Sequence, residues 1–201
     1  MIRTIATLMV ACVSTVAIAQ APANPPVRIR GTIEKLDGQV LTIKGNDGQI
    51  KTVKLKDNFL VMGIERTSID DLTAGKFIGT TTVGERNGAL VALEVHIFPE
   101  NMRGTGEGHY DWDLRPTSKM TNGNVATITS IGKDRVLEVQ YKGGAQKVVV
   151  PDSAVIVSYN PVDRTVLKPG APVFVISQPQ PDGSLIAARV NVGLNGQAPP
   201  M

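Results

Sequence analysis

Shifted against itself by 95 residues (152 − 57 = 95), the chain brings Asp57 onto Asp152, Leu72 onto Leu167, Gly75 onto Gly170 and Ile78 onto Val173 without a gap. Gly88 then meets Gly183, Leu90 meets Leu185, Ala92 meets Ala187 and Val95 meets Val190. Similarity at one fixed offset is the mark of a repeated structural unit. Upstream, GTIEKLDGQVLTIKG resembles VATITSIGKDRVLEVQYKGG once a residue or two is inserted. The expectation is two copies of one small domain, over residues 28–98 and 123–194, with a linker at 99–122 and a tail at 195–201.

Each copy reads as β. VRIRGTIEKL, QVLTIKG, IKTVKL, FIGTTTV and ALVALEVHIF are short, rich in Val, Ile and Thr, and largely apolar at period two. Asp37-Gly38, Asp47-Gly48 and Asn87-Gly88 are turn dipeptides between them. Only the stretch from Ser68 to Leu72, with Ser68 or Thr67 as a cap, offers a helical turn, and it falls between the third and fourth strands. This order predicts an all-β chain of tandem five-stranded barrels, OB-like, with an SH3-like barrel as the competitor. In the repeated Leu72-Thr73-Ala74-Gly75 and Leu167-Lys168-Pro169-Gly170, the Leu is suited to plug a barrel end and the Gly to turn the chain into the next strand.

Arg3, the apolar run from Ile5 to Ile18 and the small-residue pattern Ala17-Ile18-Ala19 read as a secretory signal peptide over residues 1–19, ahead of a loose segment at 20–27. The apolar run is shorter than the ~20 residues that span a bilayer, and no transmembrane segment is expected in the mature chain. Cys12 is the sole cysteine and falls in the segment to be removed, which excludes disulfides and thiol chemistry afterwards. A lipoprotein reading of Met9-Val10-Ala11-Cys12 is the lesser alternative. The 21 Lys and Arg are interleaved with 18 Asp and Glu, and aromatics are 4% of the chain, so no basic stripe points to nucleic acid.

The RGTIEKLDGQVLTIK start, the segment HIFPENMRGTGEGHYDWDLRPTSKMTNG, LKPGAPVFV and the closing GSLIAARVNVG together resemble a family of exported bacterial proteins of unknown function built from small β-barrel units. Some members carry an automatic metal-transporter-permease label, which the absence of an apolar span after Ile18 opposes. The resemblance implies a fold and a compartment; it implies no reaction.

His96 to Gly123 concentrates the unusual chemistry: both histidines and the single tryptophan of the chain lie there. Alternation along ALVALEVHIF puts Val91, Leu93, Val95 and Ile97 on one face and Glu94, His96 and Phe98 on the other. Glu107-Gly108-His109 repeats the Glu-x-His spacing, followed by Asp111 and Asp113. If the linker folds back, Glu94, His96, Glu107 and His109 make a candidate site for a divalent transition metal. Glu100 with Glu107, or Asp111 with Asp113, form the carboxylate pairs that a hydrolase of glycosidic bonds requires. Ser118 and Ser130 lack a nucleophile context, and Arg103-Gly104-Thr105-Gly106-Glu107-Gly108 lacks the helix that a phosphate loop needs.

Trp112 and Tyr110, with Arg103, either pack the linker onto the barrels or anchor a partner; Phe98, Met102 and Leu114 are the packing companions. The functional expectation is an exported binding or assembly protein of the bacterial periplasm, with an envelope protein or cell-envelope polymer as partner and no defined catalytic activity. A periplasmic metal-binding protein is the alternative, and a carboxylate-dependent hydrolase the third.

Overall fold

The computed structural model describes residues 24–201; the expected signal peptide at 1–19, including Cys12, lies outside the described residues. Five strands precede the linker: β1 (Val27–Asp37), β2 (Val40–Gly45), β3 (Ile50–Arg66), β4 (Phe77–Arg86) and β5 (Ala89–Ile97). β6 (Gly108–Asp111) lies within it, and β7 (Lys119–Ile131) begins before it was expected to end. The remainder is β8 (Asp134–Tyr141), β9 (Gly144–Val150), β10 (Val155–Pro161), β11 (Pro172–Pro179) and β12 (Leu185–Gly193).

Hydrogen-bonded pairing runs β12-β11-β1-β2-β3-β10-β5-β4-β7-β8-β9, and two further pairings, β12 with β3 and β5 with β9, close it into two rings. Ring one is β1-β2-β3-β12-β11 and ring two is β7-β8-β9-β5-β4. Both closures are parallel, with Ile186 opposite Lys54 in ring one and Leu90 opposite Val148 in ring two. A parallel third-to-fifth closure within an otherwise antiparallel ring is the OB-like order and not the SH3-like one. Closure also removes the sheet edges that a short open barrel would expose.

The expected division into one barrel from residues 28–98 and another from 123–194 is corrected by this pairing. Ring one takes β1 to β3 from the first repeat and β11 and β12 from the second; ring two takes β7 to β9 from the second and β4 and β5 from the first. Ring two is therefore one continuous run of chain, residues 77–150, inserted into a discontinuous ring one. The crossing is made by β3, whose 17 residues run from ring one into antiparallel pairing with β10, Ile64 facing Tyr159.

The two rings repeat each other in detail. Gly75 N donates to Val125 O at 2.8 Å and Val125 N to Lys76 O at 2.9 Å; Gly170 N donates to Ile33 O at 2.8 Å and Ile33 N to Ala171 O at 2.9 Å. The β1–β2 pairing slips between Ile33 and Lys35, and the β7–β8 pairing slips between Val125 and Thr127. Gly31 and Gly123 lie just ahead of those bulges, where any Cβ would overlap the facing main chain at Lys44 and Gln140. Leu72, buried at the end of a 3₁₀ turn capped by Ser68, packs into the core of ring two, and Leu167 packs into that of ring one. Each repeat's Leu thus plugs the barrel built on the other repeat's first three strands.

Ring one is filled by residues such as Ile33, Leu41, Ile43 and Leu55, ring two by Ile78, Val95, Leu137 and Val139. A third cluster lies between the rings and under the linker, with Phe77, Phe98, Met102, Trp112, Tyr159 and Phe174 among its members. No helix among the described residues is long and apolar enough to cross a membrane.

Candidate functional site

β5 supplies the first part of the site. Thr81 pairs with Glu94 but Thr82 pairs with Ala92, so Leu93 is an extra residue. This bulge breaks the simple alternation read from the sequence: Leu90 and Ala92, not Val91 and Leu93, join Val95 and Ile97 in the core of ring two. Beyond the bulge, Glu94 and His96 share the other face and point into the space between the rings, 1% and 3% exposed.

Glu94 is fully engaged there. Its Oε1 accepts from the Thr81 hydroxyl at 2.6 Å and from the Thr81 main-chain N–H at 2.9 Å, while Oε2 lies 2.9 Å from His96 Nδ1. A carboxylate on Nδ1 fixes the ring and directs Nε2 the opposite way. Nε2 reaches over Gly79, where a Cβ would overlap the imidazole, and the same space holds Asn122 Oδ1. Phe98 meets the imidazole edge-on at 4.9 Å between centroids, and Tyr159 lies at 5.3 Å. Burial drives the Tyr159 hydroxyl pKa far above its ordinary value; the Glu94 charge adds to the rise and Arg189 opposes it.

Glu107 and His109 are elsewhere. Glu107 accepts from the Lys142 main-chain N–H at 3.0 Å; His109 Nδ1 lies 2.8 Å from the Thr121 hydroxyl and its ring stacks on Tyr141. Burial lowers the His109 pKa, Lys119 lowers it further and Asp111 acts in the opposite sense. The four residues expected to converge on a metal therefore do not do so: Glu94 and His96 pair with each other, while Glu107 and His109 each have a separate partner. Among the described residues no group of three or more His, Cys, Asp or Glu is placed to hold a metal ion.

The other acidic residues of the linker are also committed. Asp111 pairs with Lys119 and Glu100 with Arg103. Asp113 binds Arg30 at 2.7 Å, with Arg28 at 3.8 Å. Arg103 donates to the Gly75 carbonyl at 3.0 Å and to the Asn124 side chain, pinning the linker to the start of β4 and to β7.

Trp112 is buried, its ring 6.2 Å from Phe174 of ring one and 6.1 Å from Tyr110, with the Arg28 guanidinium 4.1 Å above it. Phe98, Met102 and Leu114 belong to the same cluster. Burial raises the Tyr110 pKa, with Arg28 opposing.

Between Trp112, His96, Tyr159 and the outer wall of ring one lies a cavity of about 200 Å³. Arg28, Asn122, Arg189 and Asn191 also line it. Five buried side-chain atoms lack a hydrogen-bond partner among the described residues: Arg28 Nε, Trp112 Nε1, Asn122 Oδ1, Arg189 Nε and Asn191 Oδ1. All five belong to residues that line this one cavity. A larger groove of about 670 Å³ on ring two, between Arg86 and Ile131, contributes none of them.

Sequence reasoning singled out His96, Tyr110 and Trp112 but missed Arg28, Asn122, Tyr159, Arg189 and Asn191. The signal for two of these was the repeat itself: Arg189 and Asn191 occupy the positions of Glu94 and His96 in the second copy (189 − 95 = 94, 191 − 95 = 96). No protein-family model, curated protein or solved structure matches the chain.

Proposed function

We propose that this chain is an exported binding protein of the bacterial periplasm that holds a small ligand in the cavity between its two rings, under the clasp formed by residues 99–118. The observation that carries the reading is that the five buried side-chain atoms left unpartnered among the described residues all belong to residues lining one cavity. Folded proteins pair roughly 90% or more of such groups, and leaving one unpaired costs about 1–3 kcal/mol. A ligand that supplies the missing partners turns that cost into recognition. A mostly apolar concave wall with a few polar side chains set in it is also the general form of a small-molecule site.

The cavity favours binding over the other two readings. The residues of the metal reading do not converge, Glu94 pairing with His96 while Glu107 and His109 bind Lys142 N–H and Thr121 separately. The linker carboxylates of the hydrolase reading are individually tied to Arg30, Arg103, Lys119 and the Lys142 N–H.

Native mass spectrometry of the untagged chain purified from periplasm tests the proposal. Ile176 lines the cavity and is 44% exposed, so Ile176→Trp covers the opening without entering either barrel core. The expected result is a small-molecule adduct, or a melting shift with members of a metabolite panel, lost in Ile176→Trp. No adduct and no shift with any compound sinks the proposal.

A further inference from the structure

Building on that reading, we infer that the ligand is a compact anion with a flat apolar body and a hydroxyl or N–H donor, of the hydroxyaryl carboxylate class. Three features of the cavity wall converge on this class.

The first is charge. Arg28 and Arg189 line the cavity; among the described residues Arg28 shares the Asp113 carboxylate with Arg30, which also donates to the Met201 main-chain oxygen at 2.8 Å. Arg189 has no carboxylate within ion-pairing distance among the described residues. Glu94 is 1% exposed and both of its oxygens are occupied by Thr81 and His96, so it makes no ion pair with Arg189, although Tyr159 feels both charges. Guanidinium groups that are partly dehydrated and unpaired bind a carboxylate strongly through charge-assisted hydrogen bonds. Arg28, Arg189 and Trp112 all line the cavity, and each holds one buried N–H without a partner among the described residues, Arg28 Nε, Arg189 Nε and Trp112 Nε1.

The second is shape. Trp112, Tyr110, Phe98, Tyr159 and Phe174 present ring surfaces to the same space. About 200 Å³ is somewhat larger than the ~150 Å³ apolar cavity that accommodates benzene in an engineered lysozyme, leaving room for one ring and one or two polar substituents. It is below the ~300–1,000 Å³ typical of sites for drug-sized molecules, which favours a single small ring over a nucleotide or an oligosaccharide.

The third is polarity at the acceptor positions. Asn122 donates to the Thr105 and Gly106 carbonyls and to the Tyr110 hydroxyl, which turns its Oδ1 away from all of them without a donor. Asn191 donates to the Phe174 carbonyl at 3.0 Å and likewise leaves its Oδ1 free. Both residues are 5% exposed and both line the cavity, so a donor on a bound ligand would meet them from that side. A plain carboxylate lacks that donor; a hydroxyl or N–H on the ring provides it.

Isothermal titration calorimetry of the full mature chain with 4-hydroxybenzoate and with 4-hydroxybenzamide, its neutral counterpart, is the test. Saturable binding of the acid is expected, about tenfold or more tighter than the amide, and weakened about tenfold or more in Arg189→Gln. The comparison of the two probes needs no variant, so it holds even where Arg189→Gln fails to fold. Equal binding of acid and amide, or an affinity unchanged in a folded Arg189→Gln, overturns the anion assignment while leaving the cavity a binding site. Absence of binding by both probes overturns the ligand class, and only the adduct and melting experiment bears on whether the cavity binds anything.

Discussion

Arg189 on β12 and Glu94 on β5 stand 95 residues apart, the offset at which the sequence superposes on itself, and Tyr159 between the rings senses their two charges in opposite directions. A symmetric scaffold thus carries an asymmetric site. On one side the acid is locked to a histidine and a threonine; on the other the base has no carboxylate partner among the described residues.

The locked acid should dominate the stability of the junction. Thr81→Val removes a hydroxyl donor from a buried carboxylate and is expected to cost about 1–3 kcal/mol in urea unfolding. Glu94→Leu removes the acid and leaves the buried hydroxyl and imidazole unpaired, for a loss of about 3–5 kcal/mol. Gly79→Ala should also destabilise, because the added methyl overlaps His96. Wild-type stability in Gly79→Ala would mean that the imidazole is not held where the structure places it.

Strand exchange makes a sharp prediction for fragments. Residues 66–158 contain all five strands of ring two together with Leu72 and Ile156, which help fill its core. This fragment should fold as a cooperative monomer by circular dichroism and size exclusion. Residues 24–98, the unit suggested by the repeat alone, lack β11 and β12 and should not form a cooperatively folding monomer. A stable monomer from the second fragment would contradict the ring assignment.

His109 should make the fold acid-sensitive. Its pKa is lowered in the folded state by burial and Lys119, so the unfolded chain takes up the proton first as pH falls. The neutral histidine's contribution is present above the ordinary value of about 6.5 and is lost as pH drops from there through the lowered folded value. Urea midpoints measured from pH 8 to pH 5 should fall less steeply in His109→Gln than in the parent. Parallel curves would show that the residue titrates normally.

The clasp should depend on its tryptophan more than on the cation above it. Trp112→Ala is expected to cost about 3–5 kcal/mol. Arg28→Met, which keeps much of the aliphatic packing, should cost about 0.5–2 kcal/mol. As the sole tryptophan, Trp112 also reports its own burial: emission should be blue-shifted in the native chain and move to the red in Phe174→Ala, which strips one wall from its ring.

Local chemistry in the sequence determined the strands, their turns and the Leu plugs, because alternation, Asn-Gly and Asp-Gly pairs and a Ser cap act over a few residues. It determined that Glu94 and His96 share a face, since they are two apart on one strand. It did not place the bulge at Leu93, which depends on how β4 and β5 register against each other. Nor did it decide which repeat closes which ring. The two repeats are alike in sequence, so local rules do not say which ring β4–β5 and β11–β12 close; in the structure β3 runs unbroken from ring one into pairing with β10, and each strand pair closes the ring built on the other repeat. The cavity follows from that tertiary choice, because exchange brings β5 and β12, far apart in sequence, to one shared junction where Glu94 and Arg189 both face inward.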